Sequence, residues 1–256
     1  MEKSFIDLIK DAGIIGAGGA GFPTHVKLNA KVKTVIVNGA ECEPLLKVDQ
    51  QLMDKKADEI LYALNKVVDE TESEVGIIAL KGKYKSAINT LNSKIKDYPK
   101  LQLFMLENFY PAGDEQILVY EVTNKIVPEG GIPLNVEVIV INVETLLNVY
   151  NAINGIPVTE KYLTITGEVK NPITVKVPIG ISIEEAIEIA GGSSISDFCV
   201  IDGGPMMGKI VEDIQSPIKK NTKGLIVLKK EHKIVQSKIK SIQATISCLL
   251  YTSLMA

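Results

Sequence analysis

The chain has no tryptophan, two histidines and three cysteines among 256 residues. Cys42, Cys199 and Cys248 lie far apart with no C-x-x-C between them. That spacing excludes a disulfide framework, a zinc knuckle and a self-contained iron–sulfur site. His25 and His232 have no spaced partner and read as surface residues rather than ligands. No apolar run approaches the roughly 18 residues of a spanning helix. The opening MEKSFIDLIKDAG carries Glu2, Asp7 and Asp11 where a secretion signal would be apolar, so a cytoplasmic protein is expected. Neither sign of charge dominates: 28 Lys and Arg stand against 31 Asp and Glu, a formal net charge of −3. The basic residues form no stripe, which argues against nucleic acid and leaves small molecules or proteins as partners. Hydrophobic residues at 46% and charged residues at 23% exclude a disordered or fibrous chain.

What is present is a two-part pattern. From Lys33 to Ala152, TVIVNG (34–39), VGIIAL (75–80), LQLFML (101–106) and VEVIVIN (136–142) read as strands covered on both faces. Between them Ile60, Leu61, Leu64, Val67 and Val68 make one helical stripe, and Ala87, Ile88, Leu91 and Ile95 another. Further helices are expected near Asp114 and Glu144. This alternation predicts a layered α/β domain on a parallel sheet.

The period changes after Pro157. YLTITGEVKNPITVKVPIG alternates about Lys170, Asn171 and Pro172 as a hairpin does, and Ser182 with Glu185 forms a capping box for a helix that ends at Gly191 and Gly192. FCVID (198–202) and GLIVL (224–228) follow as strands. We therefore expect a first domain over 1–156, a small sheet wrapped over one helix at 157–230, and a tail at 231–256.

Four segments could carry chemistry. Gly16, Gly18, Gly19 and Gly21 precede Phe22 and Lys27; such a loop serves equally as a tight turn or as a cradle where backbone N–H groups approach a phosphate or flat ring. Asn38 to Pro44 (NGAECEP), Tyr110 to Glu115 (YPAGDE) and Asn142 to Thr145 (NVET) each follow a strand. Taken singly they are solvated loops or helix caps. Ligands of open α/β sheets bind at the carboxyl ends of strands, and four such segments at one edge converge on a crevice. Met206 and Met207 read as a turn under the second sheet, and Cys199 as a small buried hydrophobe.

GAGGAGFPTHVKL, VNGAECEPLLKVDQQLM, YPAGDE and NVETLLNV, in this order, resemble the FMN- and NADH-binding family that includes the 51-kDa subunit of respiratory complex I and the C subunit of the Rnf ferredoxin:NAD oxidoreductase. VPIG, GGPMMG and GLIVL resemble a soluble, corrinoid-reducing branch of it. The resemblance implies an α/β FMN/NADH domain followed by a β-grasp module of the soluble-ligand-binding type, and an NADH-oxidising flavoprotein that passes electrons to a protein or corrinoid acceptor. It implies that Gly18, Gly19, Gly21, Phe22 and Lys27 hold FMN, that Asn38, Ala40 and Glu41 line its ring, with Gly113 beside them, and that Asn142 and Thr145 lie near its phosphate. Glu43, Phe22 and Glu115 would contact NADH. Ala40 stands where the complex I branch has Asp, and Asp114 where it has Glu.

The family's two [4Fe–4S] clusters sit in a cysteine-rich region that would begin near ISCLLYTSLMA; its C-x-x-C runs are absent from this sequence, so we expect a truncated member without clusters. Location follows the branch: cytoplasm, a microcompartment, or the membrane periphery for an Rnf-type protein. An electron-transfer protein serving proline reductase, or a redox-silent module that docks a partner through its β-grasp domain, are the other readings.

Overall fold

The computed structural model describes residues 3–241. Its contacts divide the chain into a first unit, Met1–Cys42 with Lys47–Glu160, and a second that joins Glu43–Leu46 to the segment from Lys161 onward.

The first unit opens with α1 (Phe5–Asp11), which Ser4 caps by accepting from the Asp7 N–H at 3.1 Å, and α2 (Thr24–Leu28). There follow β1 (Thr34–Gly39), α3 (Val48–Lys55), α4 (Ala57–Glu70), β2 (Val75–Lys81), α5 (Lys85–Lys94), β3 (Leu101–Leu106), α6 (Glu115–Thr123), β4 (Val138–Asn142) and α7 (Val143–Ile153). The strands are parallel in the order β3-β2-β1-β4. The chain thus winds outward from β1 to β3 and returns to the other side of β1, which makes the β1/β4 junction the topological switch point. Register places Asn38 beside Asn142 at the carboxyl end of that junction.

Hydrophobic burial holds the layers together. On α4, Ile60, Leu61, Leu64, Val67 and Val68 are fully buried, each worth roughly 1.5–3 kcal/mol relative to exposure. LQLFML departs from the expected two-sided burial, because β3 is an edge strand and leaves Gln102 and Met105 exposed. The fourth strand begins at Val138 rather than 136, since Pro133–Val136 forms a 3₁₀ turn and Glu137 adopts a left-handed conformation (φ 58°).

The second unit contains β5 (Glu160–Gly167), β6 (Ile173–Pro178), α8 (Ile183–Ile189), β7 (Phe198–Asp202), β8 (Lys209–Ile210) and β9 (Gly224–Lys229), in the sheet order β6-β5-β9-β7-β8. β5 and β9 run parallel, and β7 is antiparallel to β8 and β9. Ile183, Ala186 and Ile187 of α8 form one core with Leu163, Ile165, Leu225 and Val227. The two-residue β8 is too short to show as a sequence pattern.

Two expectations are corrected here. Met206 and Met207 are 51% and 76% exposed rather than packed under the sheet. Their backbone N–H groups instead donate to the Glu43 carboxylate at 2.8 and 2.6 Å. Cys199 is half-buried on β7, opposite Leu228 of β9, and that burial pushes its thiol pKa up. The third cysteine, Cys248, and the cysteine-rich region expected beyond it lie outside the described residues.

Candidate functional site

The glycine loop is closed on itself. Gly16 N–H donates to the Phe22 carbonyl at 2.9 Å, Thr24 N–H to Ile14 at 3.1 Å, and Ile15 pairs with Pro23 across the base. Ala17 N–H donates to Thr145 Oγ1 at 2.8 Å, fastening the loop to the first turn of α7. Gly19 has φ +68°, where a side chain is strained. A Cβ placed there would meet nothing within 4 Å, and one on Gly18 only Asn142 Nδ2 at 4.0 Å.

The loop faces the switch point. Asn142 caps α7, its Oδ1 accepting from Glu144 and Thr145 N–H at 3.0 and 3.4 Å. Asn38 Nδ2 donates to the Gly113 carbonyl at 2.8 Å, and Gly113 N–H donates to Cys42 Sγ at 2.8 Å. A Cβ on Gly113 would lie 3.0 Å from Cys42 Sγ and 3.1 Å from Ala40 Cβ, so a side chain there would press on both neighbours. Lys27 Nζ donates to the Val140 carbonyl and to Glu115 Oε1, both at 2.9 Å. Asp114 caps α6 by accepting from Gln116 and Ile117 N–H.

Together these segments enclose a cavity of about 360 Å³, within the roughly 300–1,000 Å³ range of small-molecule and cofactor sites. Gly18, Gly19, Gly21, Phe22, Lys27, Asn38, Gly113, Glu115, Asn142 and Thr145 all line it, joined by Gly16, Ala20, Thr24, Val140 and Ile141. The three other expected residues point elsewhere. Ala40 is fully buried beneath Gly113. The Glu41 carboxylate accepts from the Asp49 and Gln50 N–H groups at the start of α3. Glu43 belongs to the second unit, where it holds the Met206–Met207 turn.

Sequence reasoning passed over Asp49 and Tyr84. Asp49 is buried and accepts from Asn142 Nδ2 at 2.9 Å. The Tyr84 hydroxyl donates to the Ala40 carbonyl at 2.9 Å. Burial first, then the nearby Glu41, Cys42 and Asp49 charges, push its phenol well above the ordinary range and keep it a donor. Tyr84 lies in none of the motifs, and Asp49 lies inside VNGAECEPLLKVDQQLM without its role being read there, because each bond joins residues far apart in sequence, 93 positions for Asp49–Asn142 and 44 for Tyr84–Ala40.

The site suits a flat, phosphate-bearing cofactor. Open space over Gly18 and Gly19 is a cradle that side chains would fill, and a lysine ammonium with an asparagine amide supplies cationic and neutral donors. An open parallel sheet with such a loop at its switch point defines a cofactor-binding α/β protein. The chain belongs to the family of the Nuo51 FMN-binding domain, whose profile matches residues 9–151, and an SLBB domain matches residues 162–209.

The relatives agree. It is 44% identical over 240 residues to the cobalamin reductase PduS of Citrobacter freundii, covering 93% of this chain and 53% of that one. It is 39% identical over 243 residues to the C subunit of the Na⁺-translocating ferredoxin:NAD⁺ oxidoreductase complex of Acetobacterium woodii, covering 90% and 54%. An NAD⁺-reducing [NiFe]-hydrogenase chain shares the fold, with a TM-score of 0.74 at 20% identity over 88% of this chain and 46% of that one. The chain spans about half the length of the curated relatives it matches. Among the described residues no helix is long and apolar enough to cross a membrane.

Proposed function

We propose that the first unit binds FMN in the switch-point cavity, accepts reducing equivalents from NADH there, and delivers electrons to a downstream acceptor as part of an oxidoreductase. The observation that carries this reading is the convergence of four sequence segments, ten of whose expected residues line one cavity. Bound FMN supplies the chemistry of taking two electrons as hydride and releasing them singly. The chain's task is positioning and electrostatics.

Gly18, Gly19 and Gly21 let the backbone approach the cofactor, and Thr145 and Asn142 hold that loop and the start of α7 in place. Lys27, anchored on Val140 and Glu115, sets positive charge against the anionic cofactor. Asn38 and Gly113 shape the wall at the end of β1 and Ala40 packs beneath them. Phe22, 51% exposed at the cavity rim, offers an apolar face to the incoming nicotinamide nucleotide. Glu115 offers a carboxylate for its ribose hydroxyls, which favours NADH over NADPH.

The acceptor is a corrinoid, as the name of the Citrobacter relative suggests, or a partner protein, and the cytoplasm or a microcompartment is the setting we propose. Membership of a membrane-peripheral ferredoxin:NAD⁺ complex is the second reading, favoured by the Acetobacterium relative. Three cysteines fall short of the four thiolates of an iron–sulfur cluster, so that exit is not built from these 256 residues alone.

Titration of FMN into the purified chain, followed by flavin fluorescence quenching, tests the reading. Wild type is expected to bind stoichiometrically and Gly19→Val to lose binding at least tenfold with unchanged helix content. Equal binding by the two proteins would remove the cavity from the flavin.

A further inference from the structure

Asp49 lies in the first turn of α3 and is 2% exposed. A buried carboxylate is strongly disfavoured unless hydrogen bonds satisfy it, so its bonded neighbour is informative. Its Oδ2 accepts from Asn142 Nδ2 at 2.9 Å. This bond fixes which way the Asn142 amide points. The nitrogen faces Asp49, and the oxygen accepts from Glu144 and Thr145 N–H at the start of α7. A flipped amide would set its nitrogen against those donors and its oxygen against a carboxylate, losing all three bonds. Asn142 Nδ2 is also the atom nearest the space above Gly18. The group that Asp49 orients therefore stands on the cavity wall against the glycine loop.

Asp49 is itself held. Glu41 Oε1 accepts from its N–H at 2.9 Å, and Glu41 Oε2 from the Gln50 N–H at 3.3 Å and from Gln50 Nε2 at 3.4 Å. Glu41 adopts φ +39°, and the Tyr84 hydroxyl pins the adjoining carbonyls of Ala40 and Glu41 at 2.9 and 3.4 Å. Hydrogen bonds thus run from Tyr84 through Glu41 and the start of α3 to Asp49, and from there to Asn142. Every member lies in the first unit.

We propose that Asp49 is a positioning residue of the flavin site. It locks the Asn142 amide in its binding orientation and sets a negative charge behind the cavity wall that opposes electron uptake in front of it. The proposal rests on the cavity being the FMN site. Glu41 acts through Asp49 by fixing the first turn of α3.

The test uses the full chain with FMN as the probe. Asp49→Asn keeps an acceptor for Asn142 and removes the charge, whereas Asp49→Leu removes both. Asp49→Asn should retain FMN affinity within a few-fold and shift the flavin midpoint potential in the positive direction. Asp49→Leu should weaken FMN binding at least tenfold. Wild-type affinity in Asp49→Leu, or an unshifted potential in Asp49→Asn, would overturn the proposal. Should Asp49→Leu fail to fold, the potential of Asp49→Asn still decides. A wild-type chain that takes up no FMN overturns the reading of the cavity, and this proposal with it; a wild type that binds beside an unaffected Asp49→Leu overturns the proposal alone.

Discussion

Gly113 is a tight point of the site: a Cβ there would lie 3.0 Å from Cys42 Sγ and 3.1 Å from Ala40 Cβ, with Asn38 Oδ1 at 3.4 Å. Gly113→Val should force apart the ends of β1 and the loop before α6, at about 1–3 kcal/mol in stability, and weaken FMN binding at least tenfold. Thermal unfolding and flavin titration of the same preparation check both effects. A second residue-scale expectation concerns Asp202 in the second unit. Burial raises its carboxyl pKa, partly offset by the Thr222 hydroxyl and by Lys219 and Lys161. The folded chain then holds this proton more tightly than the unfolded chain, whose carboxyl titrates near about 3.9. Stability of wild type relative to Asp202→Asn should therefore fall as pH rises from that value through the raised one, and level off above it. Urea unfolding of both proteins across that range would show a flat or rising difference if the argument fails. At this scale, residues whose role depends on type and local spacing are readable from sequence: the loop glycines, Asn38, Asn142 and Thr145 all reach the cavity. Asp49 is not, since an aspartate in an ordinary helical segment acquires meaning only when α3 is laid beside α7.

Caps and strand ends do most of the placing among the elements. Asp114 and Asn142 start α6 and α7 with side chains that satisfy the first N–H groups; Asn142 also lines the cavity, so for that residue the capping role weighed at the outset and a position at the site are compatible. β1 and β3 fall on the residues expected, because short β-branched or apolar runs flanked by polar turns leave little freedom. The start of β4 and the exposure of β3 were not legible. A proline-led 3₁₀ turn and an edge position depend on how strands are ordered, which no single run of residues encodes. The Ser182–Glu185 box is a case where local chemistry suffices. The Ser182 hydroxyl accepts from Glu185 N–H at 3.0 Å while Glu185 Oε2 accepts from Ser182 N–H at 2.8 Å. Ser182→Ala should cost about 1 kcal/mol, read as a lowered urea midpoint with unchanged slope, and should leave FMN affinity as it was. A variant as stable as wild type would mean that α8 is held by its core face alone.

At the scale of the molecule, a parallel sheet with its site at a switch point is joined to a mixed sheet that packs on one helix. The acidic loop after β1 takes part in both units: Glu41 secures α3 in the first, and Glu43 clasps the Met206–Met207 turn in the second. Two neighbouring glutamates thus serve separate scaffolds, a division invisible in the string NGAECEP. The measurement that bears most directly on the account is anaerobic addition of NADH to the FMN-loaded full chain, followed by the absorption of oxidised flavin. The account predicts stoichiometric bleaching by NADH, a much weaker response to NADPH, and recovery of the flavin colour on adding a small artificial acceptor. FMN that stays oxidised in the presence of excess NADH, while bound with full occupancy, would contradict it.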